Sequence, residues 1–185
     1  MARFLLERGN VVKVFLGGEG PVSRQLEAAG VPFHPLACLR RQIAPLRDVR
    51  AVGELAGELK RFQPDLVSLH TAKAGFIGRL AASRIGVPAL YTPHGWAFGE
   101  RFPWASRAAF LAAERAVNQR ARAILCVCRY ERELALARGV GSAERLRVVY
   151  NGVHDVAAHL RADPAGEPVR VVSVARLEAP KDPAT

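Results

Sequence analysis

Three short segments carry residue types suited to handling phosphates or sugars. The first, His70-Thr71-Ala72-Lys73-Ala74-Gly75, brings a hydroxyl, an ammonium and free backbone N–H groups to the start of a helical stretch. Such groups converge on a phosphate or carboxylate, and they serve equally as a helix cap beside a surface lysine. The second, Pro93-His94-Gly95-Trp96, sets an imidazole between a proline and a glycine, where the chain turns sharply and presents the ring. In the third, Ala175-Arg176-Leu177-Glu178-Ala179-Pro180-Lys181, two cations five residues apart suit a diphosphate, which one charge neutralises poorly. By spacing alone, that last pair is also a pair of solvated tail residues.

Other chemistries find less support. No G-x-S-x-G elbow is present, so Ser-His-Asp hydrolysis is not indicated. Cys38 stands alone, and the pair Cys126 and Cys128 lacks the second pair or spaced histidines of a metal site. All three cysteines read as small core or half-buried residues, and no metal is expected. His34, His154 and His159 have no comparable setting and read as structural. The net charge is +10, yet the densest basic stretch, 101–147, mixes ten arginines with Glu114, Glu131, Glu133 and Glu144. It has no compact basic run with interleaved aromatics, which argues against nucleic acid.

The elements that position these segments alternate. Met1–Arg8 reads as the end of a helix closed by Gly9, and Val11–Leu16 as a strand. Pro21–Ala29 reads as a helix, followed by a proline-broken edge strand over Val31–Ala37. The helix Arg47–Phe62 has the clearest period, with Val52, Leu55, Leu59 and Phe62 on one face and Pro64 stopping it. Strand Asp65–Leu69, helix Ala74–Ile85, strand Ala89–Thr92 and helix Trp104–Gln119 follow. Strand Ala123–Val127, helix Tyr130–Arg138 and strand Leu146–Val149 lead to the Asn151-Gly152 turn, and one more strand, Val169–Val174, follows the linker-like stretch Ala162–Pro168. This spacing predicts an α/β fold with a doubly wound parallel sheet, in which ligands bind beyond the strands' carboxyl ends. All three chemical segments fall there.

Read together and in order, four motifs resemble family 4 glycosyltransferases. They are His70-Thr71-Ala72-Lys73-Ala74-Gly75-Phe76-Ile77-Gly78-Arg79, Tyr91-Thr92-Pro93-His94-Gly95-Trp96, Val149-Tyr150-Asn151-Gly152-Val153, and Val174-Ala175-Arg176-Leu177 running on to Lys181-Asp182-Pro183. The resemblance implies a retaining, metal-independent enzyme of two Rossmann-like domains, the GT-B fold. It implies a nucleotide-diphosphate-sugar donor and a glycolipid, polysaccharide or other saccharide acceptor, with no cofactor. On that pattern His94 lies near the transferred sugar, and Arg176 and Lys181 hold the donor diphosphate. Thr71, Lys73 and Gly75 lie on the acceptor side. Cys128 stands where such enzymes commonly have a serine.

The resemblance also sets expectations about organisation. Residues 1–155 correspond to an acceptor-side domain, 156–168 to a linker and 169–185 to the first strand and loop of a donor-side domain. A domain of about 150 residues buries roughly 70% of its unfolded surface, so a chain of 185 holds one such domain and not two. The family's first strand and its glycine-rich loop have no counterpart before Met1, which leaves a gap or a direct pairing of that strand's neighbours. The chain therefore reads as a fragment, inactive alone and prone to association. The few cysteines and the polar N-terminus, unlike a signal peptide, point to the cytoplasm, and the basic surface to peripheral contact with an anionic membrane. The rival readings are a sugar-nucleotide epimerase of the same fold and a non-catalytic, truncated binding module.

Overall fold

The computed structural model describes residues 1–99, 103–153, 155–161, 163, 165 and 168. The chain divides into two units, Met1–Tyr150 and Asn151–Thr185. In the second, the one described element is a single 3-10 turn, Ala158–Leu160. The expected strand Val169–Val174, with Arg176 and Lys181, lies outside the described residues, as does His154.

In the first unit, helices and strands alternate as the sequence predicts. They are α1 (Ala2–Leu6), β1 (Val14–Leu16), α2 (Pro21–Ala28), β2 (Phe33–Pro35), α3 (Pro45–Phe62) and β3 (Val67–His70), then α4 (Ala72–Arg84), β4 (Ala89–Thr92), α5 (Trp104–Val117), β5 (Ala123–Cys126), α6 (Arg129–Ala137) and β6 (Leu146–Val148). The strand expected over Val31–Ala37 is shorter than its sequence span, and β1 is its one partner among the described residues. Prolines supply no ladder N–H, which suits an edge position.

All pairings are parallel, but they form two sheets: β1-β2, and β3-β4-β5-β6. Neither β1 nor β3 has a second partner among the described residues, so the expected alternative of a direct pairing is not what the chain does. The two sheets are joined by their helices instead. The apolar stripe of α3 (Val52, Leu55, Leu59) packs with Ile77 and Ala81 of α4, and Phe15 of β1 and Val67 of β3 close on the same cluster. Each large apolar side chain buried this way contributes about 1.5–3 kcal/mol. A second cluster under α5 and α6 holds Leu69, Tyr91, Trp96, Phe98, Ile124 and Leu146.

The helix α4 starts two residues earlier than periodicity suggests, directly after Thr71. Gly75 and Gly78, three apart, put one bare face of α4 on the sheet: Gly75 lies on the Tyr91 ring and Gly78 on the Leu69 side chain. No larger residue fits at that approach.

Candidate functional site

The register of β3 on β4, with His70 opposite Thr92, brings the carboxyl ends of both strands to one level. The Thr71 N–H donates to the Thr92 carbonyl at 3.2 Å, which carries the alignment one residue beyond the strand. His70, Thr71 and His94 therefore emerge side by side. Thr71 (φ 70°, ψ 158°) and His94 (φ 53°) both hold a positive φ. Non-glycine residues held there cost of order 1–3 kcal/mol each and mark sites over-determined by their surroundings.

What holds His94 is visible on both sides of it. Its ring meets that of His70 edge to edge, with the planes 25° apart and centroids separated by 5.2 Å, and His70 Nδ1 lies 2.9 Å from His94 Nε2. Ser68 Oγ in turn lies 3.1 Å from His70 Nε2. Two residues further on, the buried Trp96 anchors the turn. Its indole N–H donates to the Glu131 carbonyl at 2.8 Å, and its ring stacks on Phe98 with a centroid distance of 5.0 Å. His94 itself is exposed, and His70 is half-buried. Burial pulls the His70 ring below the usual histidine pKa, and the His94 ring adds to the effect, so His70 is neutral near pH 7.

The other acceptor-side candidates fare differently. Thr71 immediately precedes α4, is exposed, and makes no side-chain cap bond. Lys73 is engaged: its ammonium pairs with Asp48 at 2.7 Å and donates to the Gln42 carbonyl. It ties α4 to the start of α3 and is only 20% exposed. Gly75 is buried against Tyr91, where the absence of a side chain lets α4 approach the sheet.

Beneath this surface runs a buried polar network. Arg79 donates to the Gly75 carbonyl at 2.9 Å and to Glu114 at 2.7 Å, and its guanidinium lies over the Tyr91 ring. The Tyr91 hydroxyl donates to Glu114 at 3.0 Å. Burial and the Glu114 charge push the Tyr91 phenol far above its ordinary pKa, so it stays a hydrogen-bond donor.

A model of the glycosyl transferase 4-like domain matches residues 1–152 of this chain, which include every element just described. The chain belongs to that family. The likeness to solved glycosyltransferases places its first unit in the GT-B, Rossmann-like class. It is 21% identical to HepE of Anabaena, solved with UDP-glucose, over 82% of this chain and 39% of that one, with a TM-score of 0.62. A UDP-GlcNAc 2-epimerase from Neisseria meningitidis shares the fold at 16% identity and a TM-score of 0.59, over 80% of this chain and 42% of that one. Among curated proteins, it is 26% identical over 136 residues to the Escherichia coli UDP-Gal:alpha-D-GlcNAc-diphosphoundecaprenol alpha-1,3-galactosyltransferase. That match takes in 72% of this chain and 35% of the galactosyltransferase, so the chain spans about a third of that relative's length.

Within this family member, the residues that sequence reasoning passed over are Ser68 and His70. Their signal was present: on a strand, positions 68 and 70 share a face, and a parallel neighbour ending near His94 brings that histidine alongside. Cys128 stands at the start of α6 and makes no cap hydrogen bond; Glu131, three residues on, accepts the Val127 N–H at 2.9 Å instead. Cys126 is buried, and burial pushes its thiol up to about 12, which removes it from nucleophilic chemistry. No helix among the described residues is long and apolar enough to cross a membrane.

Proposed function

We propose that this chain forms the acceptor-side wall of a glycosyltransferase cleft. In this reading, a sugar passes with retention from a nucleotide-diphosphate donor to a lipid-linked or other saccharide acceptor. One observation carries the reading: an exposed histidine in a strained conformation, clamped at the carboxyl end of β4, inside a glycosyltransferase domain. Strain of this kind is tolerated where it orients a group toward a ligand. His94 reaches the sugar, and the Thr71 hydroxyl and the first N–H groups of α4 meet the acceptor. Lys73 acts through its neighbours, holding the α3 and α4 ends in place.

Arg176 and Lys181 supply the positive charge for the leaving diphosphate, without metal or other cofactor. The relative that acts on a diphosphoundecaprenol-linked sugar supports a polyprenyl diphosphate acceptor. The reaction then takes place in the cytoplasm at the inner membrane face. There each nearby Lys or Arg contributes about 1 kcal/mol of attraction to anionic lipid. The epimerase is like this chain in fold alone, whereas the family match is to a transferase domain.

Equilibrium binding of a short-chain polyprenyl-diphosphate saccharide to the purified chain tests the reading. The wild type binds, and Thr71→Asp, which sets a carboxylate against the diphosphate, weakens binding about tenfold or more, or at least 1.4 kcal/mol. Equal binding by both forms, or none by the wild type, contradicts it.

A further inference from the structure

The contacts from Ser68 to His70 to His94 impose a rule on where protons sit. A neutral imidazole carries one N–H and one bare nitrogen. The 2.9 Å contact between His70 Nδ1 and His94 Nε2 needs one proton between them. If His70 donates, its Nε2 is bare and takes the Ser68 hydroxyl proton, while His94 keeps its own proton on Nδ1. If His94 donates from Nε2, the His70 proton sits on Nε2 and goes to Ser68 Oγ, leaving His94 Nδ1 bare. The serine hydroxyl serves either arrangement because it both donates and accepts. In each case the two rings carry the proton on the same-named nitrogen.

His94 Nδ1 has no hydrogen-bond partner among the described residues, and the ring it belongs to is exposed. We propose that His70, backed by Ser68, is a positioning residue that couples the tautomer of His94 to its own, so that His94 Nδ1 offers the cleft a donor when both rings carry the proton on Nδ1 and an acceptor when both carry it on Nε2. Its relevance to sugar transfer rests on the function proposed above, but the coupling does not. A ligand oxygen that needs a donor then selects the tautomers of both rings at once. The identity of residue 70 thus reaches the ligand without touching it, as outer-shell partners of histidine do in other sites.

Long-range proton–nitrogen NMR of the chain, with its histidine rings labelled with nitrogen-15, reads the tautomers above the ordinary histidine pKa of about 6.5. The expected result is that His70 and His94 hold the same tautomer. Ser68→Ala, at an exposed position that folding does not need, shifts both rings together. His70→Asn, whose amide can face His94 Nε2 with either its oxygen or its NH2, keeps that nitrogen partnered; His70→Leu removes the partner and changes the tautomer balance of His94. No sugar enters the measurement, so the coupling and the transferase reading fail separately. Opposite tautomers on the two rings, a shift in His70 alone in Ser68→Ala, or an unchanged His94 in a folded His70→Leu would overturn the proposal.

Discussion

Gly75 lies so close to Tyr91 that a Cβ placed on it would stand 2.6 Å from the ring's Cδ2. The glycine of the His70–Gly75 segment is therefore a packing device that seats α4 on β4. Gly75→Ala is expected to destabilise the first unit by about 1–3 kcal/mol, because overpacking outweighs the gain in helix propensity. Gly53 provides the control: it lies inside α3, is exposed, and a Cβ there meets nothing within 4 Å. Gly53→Ala should stabilise by about 0.5–1 kcal/mol. Urea unfolding midpoints of the two variants should move in opposite directions.

The Arg79–Glu114 pair is fully desolvated, with the arginine 0% and the glutamate 6% exposed. Removing one partner strands a buried charge, and Arg79→Met is expected to cost about 3–5 kcal/mol. Replacing both, as Arg79→Met with Glu114→Leu, should cost less than the two single changes added together. Chemical denaturation of the three variants measures that coupling. Strict additivity would mean that the pair does not act as a unit.

Acid should weaken the fold through His70. Its folded pKa is lowered by burial, by the His94 ring and by the amino group of Met1. The unfolded histidine takes up a proton near about pH 6.5, before the folded one does. The neutral ring's preference for the folded state is therefore fully present above that pH and is lost as pH falls towards the folded pKa. Thermal unfolding between neutral and mildly acidic pH should show a steeper loss in the wild type than in His70→Asn, which cannot titrate. Parallel profiles would remove His70 as the cause.

The unpaired edges of β1 and β3 carry a further consequence. Edge strands with free backbone groups pair with other chains, and neither edge is covered by a strand among the described residues. The purified chain should self-associate as its concentration rises. Light scattering that reports one monomeric species throughout would contradict this.

The alternation of elements was legible because it rests on local signals. Pro45 starts α3, Gln63 at φ 52° ends it one residue before Pro64, and Gly9, Gly30 and Gly139 close their helices with positive φ. The three-residue span of β2 was not legible, because tertiary pairing and not propensity sets a strand's ends. Arg79 was hidden among many arginines: composition makes each look solvated, and only its position four residues after Gly75 hinted at the interior. His94 was legible from Pro93 and Gly95 around it. His70 was not, since its meaning lies in a partner 24 residues away on the neighbouring strand. The pairing of Lys73 was hidden for the same reason, as Asp48 sits on a different helix.

If the carboxyl ends of β3 and β4 form the acceptor wall, the acceptor binds there and nowhere else on the first unit. Backbone amide NMR of the chain, titrated with a polyprenyl-diphosphate saccharide in detergent, maps the binding residue by residue. The shifts should concentrate on His70, Thr71, His94 and the first turn of α4, at the carboxyl ends of β3 and β4. Shifts confined to Arg122, Arg145 and Arg147, which line a cleft where β5 and β6 begin, would contradict that placement.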